Sequence, residues 1–209
     1  MNRSLFVTGR GLYAITPSAV AGKKLLAVVE AALAGGARVV QYRAKPVADP
    51  ETARRLGTLC QQAGAIFIVN DEPDLALEVG ADGVHLGRDD ASPAAAREIL
   101  GPDRIVGVSC YNDLRRAQRA AAEGADYLAF GSVFGSTTKP GAAHCPLKRL
   151  AAARVLGLPI VAIGGITLDN AAAVIAAGAD YLAVISNLFE APDIGAHAAA
   201  YGKLFNPAG

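Results

Sequence analysis

One turn occurs three times in this chain. Glu123-Gly124-Ala125-Asp126-Tyr127-Leu128-Ala129 recurs as Ala177-Gly178-Ala179-Asp180-Tyr181-Leu182-Ala183, and Val79-Gly80-Ala81-Asp82-Gly83-Val84 resembles both. Each time Gly closes a helix-length segment, because it enters left-handed backbone without a Cβ penalty. Asp then turns the chain into a short apolar run. Helix passed repeatedly to strand is the order of a parallel α/β architecture. Runs as short and apolar as these belong to strands covered on both faces.

The rest of the chain keeps that rhythm. Apolar runs at 12–16, 39–43, 66–69, 83–86, 105–108, 127–130, 159–163 and 181–185 read as strands. Helices are predicted over 23–34, where Leu25, Leu26, Val29 and Leu33 share a face, and over 51–63, 73–79, 93–100, 113–123, 147–156, 169–177 and 194–205. Ser92-Pro93 opens one of them with a capping hydroxyl and a Pro at the first helical position. These strand-helix units predict a (β/α)8 TIM barrel, a single domain over 1–209 with residues 1–11 as an N-terminal extension; an open doubly wound sheet is the alternative. The 209 residues suit one such domain, since barrels of this class run to about 200 to 250 residues.

In a barrel the residues ending successive strands face one mouth, where ligands gather. Those tips carry Gln41, Arg43 and Lys45 after the second strand, Asn70 and Asp71 after the third, Asp90 after the fourth and Ser109 after the fifth. Lys139 follows the sixth strand, Gly164-Gly165 the seventh and Ser186 the eighth. Arg43, Lys45 and Lys139 suit phosphate oxygens, while Asp71 and Asp90 suit a hard cation such as Mg²⁺. The competing account of Asn70-Asp71 is a helix cap. Backbone N–H groups of Gly164-Gly165, with Ser186, suit a second phosphate. Two anion sites in one mouth imply two small phosphorylated substrates. The loop 131–141 lacks the Gly-Lys-Ser/Thr order of a Walker P-loop and reads as a lid.

Other chemistries are disfavoured. Twenty basic and nineteen acidic residues leave a formal charge of +1, so nothing global draws the chain to nucleic acid or an anionic membrane. No apolar stretch is long enough for a membrane span and the N-terminus lacks a signal-peptide core, which points to a cytoplasmic protein. Cys60, Cys110 and Cys145 show no CxxC spacing and read as reduced thiols. His85, His144 and His197 are too dispersed for a zinc site and read as structural. Nothing in the sequence sets the oligomeric state.

VQYRAK at 40–45, IVNDEPDLAL at 68–77, GADGVHLGRDD at 80–90, VGVS at 106–109, ADYLAFGSVFGSTTKPGA at 125–142, VAIGGIT at 161–167 and GADYLAVIS at 178–186 resemble the thiamine phosphate synthase family, in that family's order. The resemblance implies a Mg²⁺-assisted transferase that joins 4-amino-2-methyl-5-hydroxymethylpyrimidine diphosphate to a thiazole phosphate or its carboxylated form, releasing diphosphate by a dissociative route. It implies that Gln41, Arg43, Lys45, Asn70, Ser109 and Lys139 hold the pyrimidine diphosphate, with Lys139, Ser109 and Arg43 catalytic. Asp71 and Asp90 would hold Mg²⁺, and Ser136, Thr138, Gly165, Ile185 and Ser186 the thiazole phosphate. The chain departs from the family pattern at Ala44, where Glu is frequent, at Ser136, where Thr is common, and at Pro17, where the first strand often ends in Asp. A thiazole tautomerase-like relative and a non-catalytic binder of phosphorylated metabolites remain the rival readings.

Overall fold

The computed structural model describes residues 6, 8–135 and 144–205. Eight parallel strands close on themselves in sequence order: β1 (Gly11–Ile15), β2 (Val39–Tyr42), β3 (Ile66–Asn70), β4 (Gly83–Leu86), β5 (Ile105–Tyr111), β6 (Tyr127–Gly131), β7 (Ile160–Ile163) and β8 (Tyr181–Val184). The seam is the pairing of β1 with β8, Gly11 opposite Tyr181. Closure rules out the open sheet. The helices outside are α1 (Gly22–Ala34), α2 (Pro50–Ala63), α3 (Pro73–Glu78), α4 (Pro93–Leu100), α5 (Leu114–Ala122), α6 (Lys148–Ala153), α7 (Leu168–Ala176), α8 (Ser186–Phe189) and α9 (Ile194–Phe205).

The repeated turn explains how the strands are spaced. Gly80, Gly124 and Gly178 take positive φ, and the Asp two residues on caps a neighbouring strand rather than its own helix. Asp82 Oδ2 accepts from Phe67 N–H, Asp126 Oδ2 from Val106 N–H and Asp180 Oδ2 from Ile160 N–H, at 2.8–2.9 Å. β4, β6 and β8 are each thereby tied to the strand before them, at the end of the barrel opposite the mouth. Gly36-Ala37-Arg38, also with positive φ at the glycine, makes the same turn before β2, with Arg in place of Asp. Asp126 is the most buried of the three carboxylates and also receives Arg97 Nη2 at 2.6 Å.

Two packing layers follow from strand alternation. Outward side chains such as Val84, Leu86, Leu128 and Leu182 meet the helices. Inward ones fill the barrel: Tyr13, Ile68, Ile105, Tyr127, Val161 and Tyr181 form the interior. Phe6 closes its lower end, stacked on Tyr127 at 4.6 Å and Tyr181 at 4.5 Å between ring centroids, while Tyr181 OH donates to Phe6 O. The large phenol of Tyr127 is admitted because Gly107 faces it; a Cβ at Gly107 would lie 1.9 Å from Tyr127 Cζ.

Several boundaries differ from the sequence expectation. Strand β5 runs on past Ser109 to Tyr111, with a register shift between those two residues against β6. The helix expected over 147–156 is α6 followed by a 3₁₀ turn, Arg154–Leu156, closed by Gly157 in left-handed backbone. The turn α8 was not anticipated, because four residues are too few to show a helical period.

Candidate active site

The carboxyl ends of the strands enclose a cavity of about 480 Å³. Gln41 from β2, Arg43 just after it, Asn70 from β3, Ser109 from β5, Gly165 after β7 and Ile185 and Ser186 after β8 all line it. Seven residues expected to share a mouth therefore do so, although they span most of the chain. Ser136, Thr138 and Lys139 lie outside the described residues, as does most of the expected lid. The cavity also takes in His85 from β4, which the sequence reading treated as structural.

Arg43 is anchored from two sides. Its backbone N–H donates to Thr16 Oγ1 at 2.8 Å and its guanidinium Nη1 to Ser18 Oγ at 2.7 Å, so the tip of β1, despite Pro17, braces the tip of β2. Lys45, at the rim, reaches across to Asp71 Oδ2 at 2.7 Å. Asp71 does not cap the following helix: that position is Glu72, which makes no side-chain capping bond. Asp71 instead sits at φ +66°, a left-handed conformation that costs a non-glycine residue and that places its carboxylate toward Lys45 and Asp90.

Asp71 and Asp90 are close enough to hydrogen-bond to each other. Burial works against charge on Asp71, but the bonds from Lys45 and Asp90 outweigh it and hold its carboxyl below the usual range. Burial and the neighbouring Asp71 push Asp90 the other way, up, although Gly87 N–H donates to it at 2.6 Å. Two carboxylates pressed into one site, one of them resisting ionisation, make a hard-oxygen donor set that a divalent cation would relieve. No cluster of three or more metal-binding side chains occurs among the described residues. Mg²⁺ does not need one, since it is commonly held by one or two carboxylates with water and substrate phosphates completing the shell.

On the far side, the β6 and β7 tips approach closely enough to require glycine. A Cβ at Gly164, φ +102°, would meet Ser132 Oγ at 2.0 Å, and one at Gly165, φ +64°, would meet Gly135 O at 2.3 Å. Asn170 Nδ2 donates to Gly165 O at 2.9 Å, fixing the turn from α7. Across the cavity floor runs a chain of side chains, Gln41, Tyr13, Tyr127, His85 and Ser109, joined by contacts of 2.8–2.9 Å. His85 is placed by the register of the strands. It occupies the same inward phase on β4 that Gln41, Asn70 and Ser109 occupy on β2, β3 and β5, and pairs directly with Asn70.

A family model described as thiamine monophosphate synthase matches residues 12–188. The chain belongs to the thiamine monophosphate synthase family. A thiamine-phosphate synthase from Azoarcus sp. (strain BH72) is 56% identical over 201 residues, 94% of this chain and 97% of its own. One from Aromatoleum aromaticum is 54% identical over the same shares. A solved thiamine phosphate pyrophosphorylase from Pyrococcus furiosus superposes with a TM-score of 0.85 at 37% identity, covering 94% of this chain and 95% of that one. Membership in the family makes the protein a transferase of thiamine biosynthesis. Among the described residues no helix is long and apolar enough to cross a membrane.

Proposed function

We propose that the barrel mouth joins 4-amino-2-methyl-5-hydroxymethylpyrimidine diphosphate to 4-methyl-5-(2-phosphooxyethyl)thiazole, giving thiamine phosphate and diphosphate. The observation that carries this reading is the single cavity that has Gln41, Arg43, Asn70 and Ser109 on one side and Gly165, Ile185 and Ser186 on the other. The first group, with Lys45 and Lys139, holds the pyrimidine diphosphate. The second, with Ser136 and Thr138, holds the thiazole phosphate through backbone N–H groups and hydroxyls. The cytoplasmic setting read from the sequence belongs to the same proposal.

The reaction needs position and electrostatics more than a nucleophilic side chain. The bond between the pyrimidine methylene carbon and the diphosphate oxygen breaks, its electrons leaving with diphosphate. The 4-amino group feeds electron density into the ring and stabilises the methylene cation. The thiazole nitrogen then gives its lone pair to that carbon, forming the new C–N bond with no proton to move. Arg43 and Lys139 stand against charge building on the departing oxygens, where preorganised cations act without reorganisation. Seating two substrates in one cavity converts their encounter into an intramolecular step. The cysteines take no part: burial pushes Cys110 up to about 12 and Cys145 to about 11, so neither offers a thiolate near neutral pH.

Asp71 and Asp90 are the residues that would hold Mg²⁺, since they are the two carboxylates that meet at this rim. Mg²⁺ so held would supply Lewis-acid neutralisation of the leaving diphosphate. Lys45, paired with Asp71 here, would exchange that partner for a phosphate oxygen. The test is calorimetric titration of diphosphate with and without Mg²⁺. The proposal expects Mg²⁺ to tighten diphosphate binding, and Asp71→Asn or Asp90→Asn to lower that gain by at least about tenfold; an unchanged gain in both variants overturns the assignment.

A further inference from the structure

The chain of side chains under the cavity has a direction. Gln41 Nε2 donates to Tyr13 OH at 2.8 Å. With Gln41 as the donor and one hydrogen on each phenol, the order that satisfies every group runs from Tyr13 OH to Tyr127 OH, 2.8 Å away, and from Tyr127 OH to His85 Nδ1 at 2.9 Å. In that order His85 carries its hydrogen on Nε2 and donates it to Ser109 Oγ, 2.8 Å away. Both phenols are fully enclosed, and burial pushes both well above the usual tyrosine range, so they serve as neutral hydroxyls. The two ends of the chain open on the cavity with opposite roles. Ser109 then accepts from below, which leaves its own hydroxyl hydrogen for the cavity that it lines. Gln41 donates through Nε2, which leaves its amide oxygen for the cavity that it lines.

We infer that His85, Tyr127 and Tyr13 are positioning residues whose directed hydrogen-bond chain makes Gln41 an acceptor and Ser109 a donor, and so selects an aminopyrimidine over the corresponding pyrimidinone. This rests on the pyrimidine reading of the site and deepens it. An aminopyrimidine offers an amino N–H to Gln41 Oε1 and an unprotonated ring nitrogen to the Ser109 hydroxyl. A 4-oxo ring offers a carbonyl where the amino group was and carries a hydrogen on a ring nitrogen. To accommodate it the Gln41 amide must flip and every bond in the chain must reverse, or buried polar groups stay unpaired. A site built to match one pattern of donors rejects the other strongly. The direction matters chemically as well, because the same amino group that Gln41 recognises is the one that stabilises the methylene cation.

Tyr127→Phe removes the central hydroxyl and keeps the ring that stacks on Phe6 and His85. His85→Phe keeps a ring but removes both the acceptor for Tyr127 and the donor to Ser109, and serves if the first variant does not fold. Dissociation constants for the 4-amino and 4-oxo pyrimidine diphosphates are measured by calorimetry in wild type and variants, with thermal melts alongside. The expected result is a wild-type preference for the amino form that falls by about tenfold or more in the folded variants, while affinity for the thiazole phosphate holds. A purely structural role would lower the melting temperature and leave the amino-to-oxo ratio unchanged, which overturns the inference alone. Wild-type protein that binds neither compound overturns the proposed function and the inference together.

Discussion

Asp126→Ala isolates the turn that organises the barrel from the site at its other end. Asp126 is 3% exposed and its Oδ2 receives both Val106 N–H and Arg97 Nη2. Truncation strands the Val106 amide between two strands, which costs about 1–3 kcal/mol. Breaking a buried ion pair by removing one partner costs about 3–5 kcal/mol, because the other charge is left behind. Arg97 keeps backbone acceptors at Gly101, Arg104 and Gly124, so only part of that larger penalty applies. The expected loss is about 2–4 kcal/mol, or roughly 5–15 °C in melting temperature for a domain of this size. Asp126→Asn, which retains an oxygen for both donors, should lose about 1 kcal/mol. Urea unfolding followed by circular dichroism measures both, and diphosphate release per folded molecule should stay near wild type. An Asp126→Ala protein within about 0.5 kcal/mol of wild type would refute the claim that these carboxylates fasten the strands.

Gly107→Ala should destabilise by about 1–3 kcal/mol through overpacking, because its Cβ would overlap the Tyr127 ring, and should also reduce activity by displacing the hydrogen-bond chain; melts and turnover check the two effects. Asp71→Ala and Lys139→Ala should each lower turnover by about two orders of magnitude or more while melts stay close to wild type, as expected for charge stabilisation of a leaving group. The Asp49 side chain accepts from the Thr52 hydroxyl and from Thr52 and Glu51 N–H at the start of α2, which lowers its carboxyl below the usual range. A depressed folded value contributes stability that is present above the unfolded value, about 3.9, and is lost as pH falls through the folded one. Asp49→Asn should therefore flatten the acid side of the stability profile, measured by urea midpoints across that range, and leave the neutral side parallel to wild type.

Most of the architecture was legible because it is written in local turns. Gly-Ala-Asp at 80–82, 124–126 and 178–180 marks the passage from helix to strand, and the polar ends of the apolar runs mark the mouth. Seven of the expected site residues line one cavity for the same reason: strand ends converge once the barrel closes. What was hidden depends on side-chain phase within strands of four or five residues. Runs such as GVHL look uniformly buried, and only closure separates outward Val84 and Leu86 from inward His85. Tyr13 and Tyr127 are core aromatics whose hydroxyls also meet at 2.8 Å across the barrel. Separations of 114 residues for that pair and 42 for His85 with Tyr127 leave no local signal. Phe6 lies before the first strand, in a segment with no helical or strand period, yet it is enclosed by rings from β6 and β8.

The proposed reaction brings two phosphorylated substrates together at one rim and releases diphosphate there. A continuous assay for diphosphate, run with Mg²⁺ and both substrates and then with each substrate omitted, reads that event directly. Release that requires the pyrimidine diphosphate and the thiazole phosphate together, with thiamine phosphate formed in equal amount, is the predicted result. No release with both present, or release from the pyrimidine diphosphate at the same rate without the thiazole and without product, would contradict it.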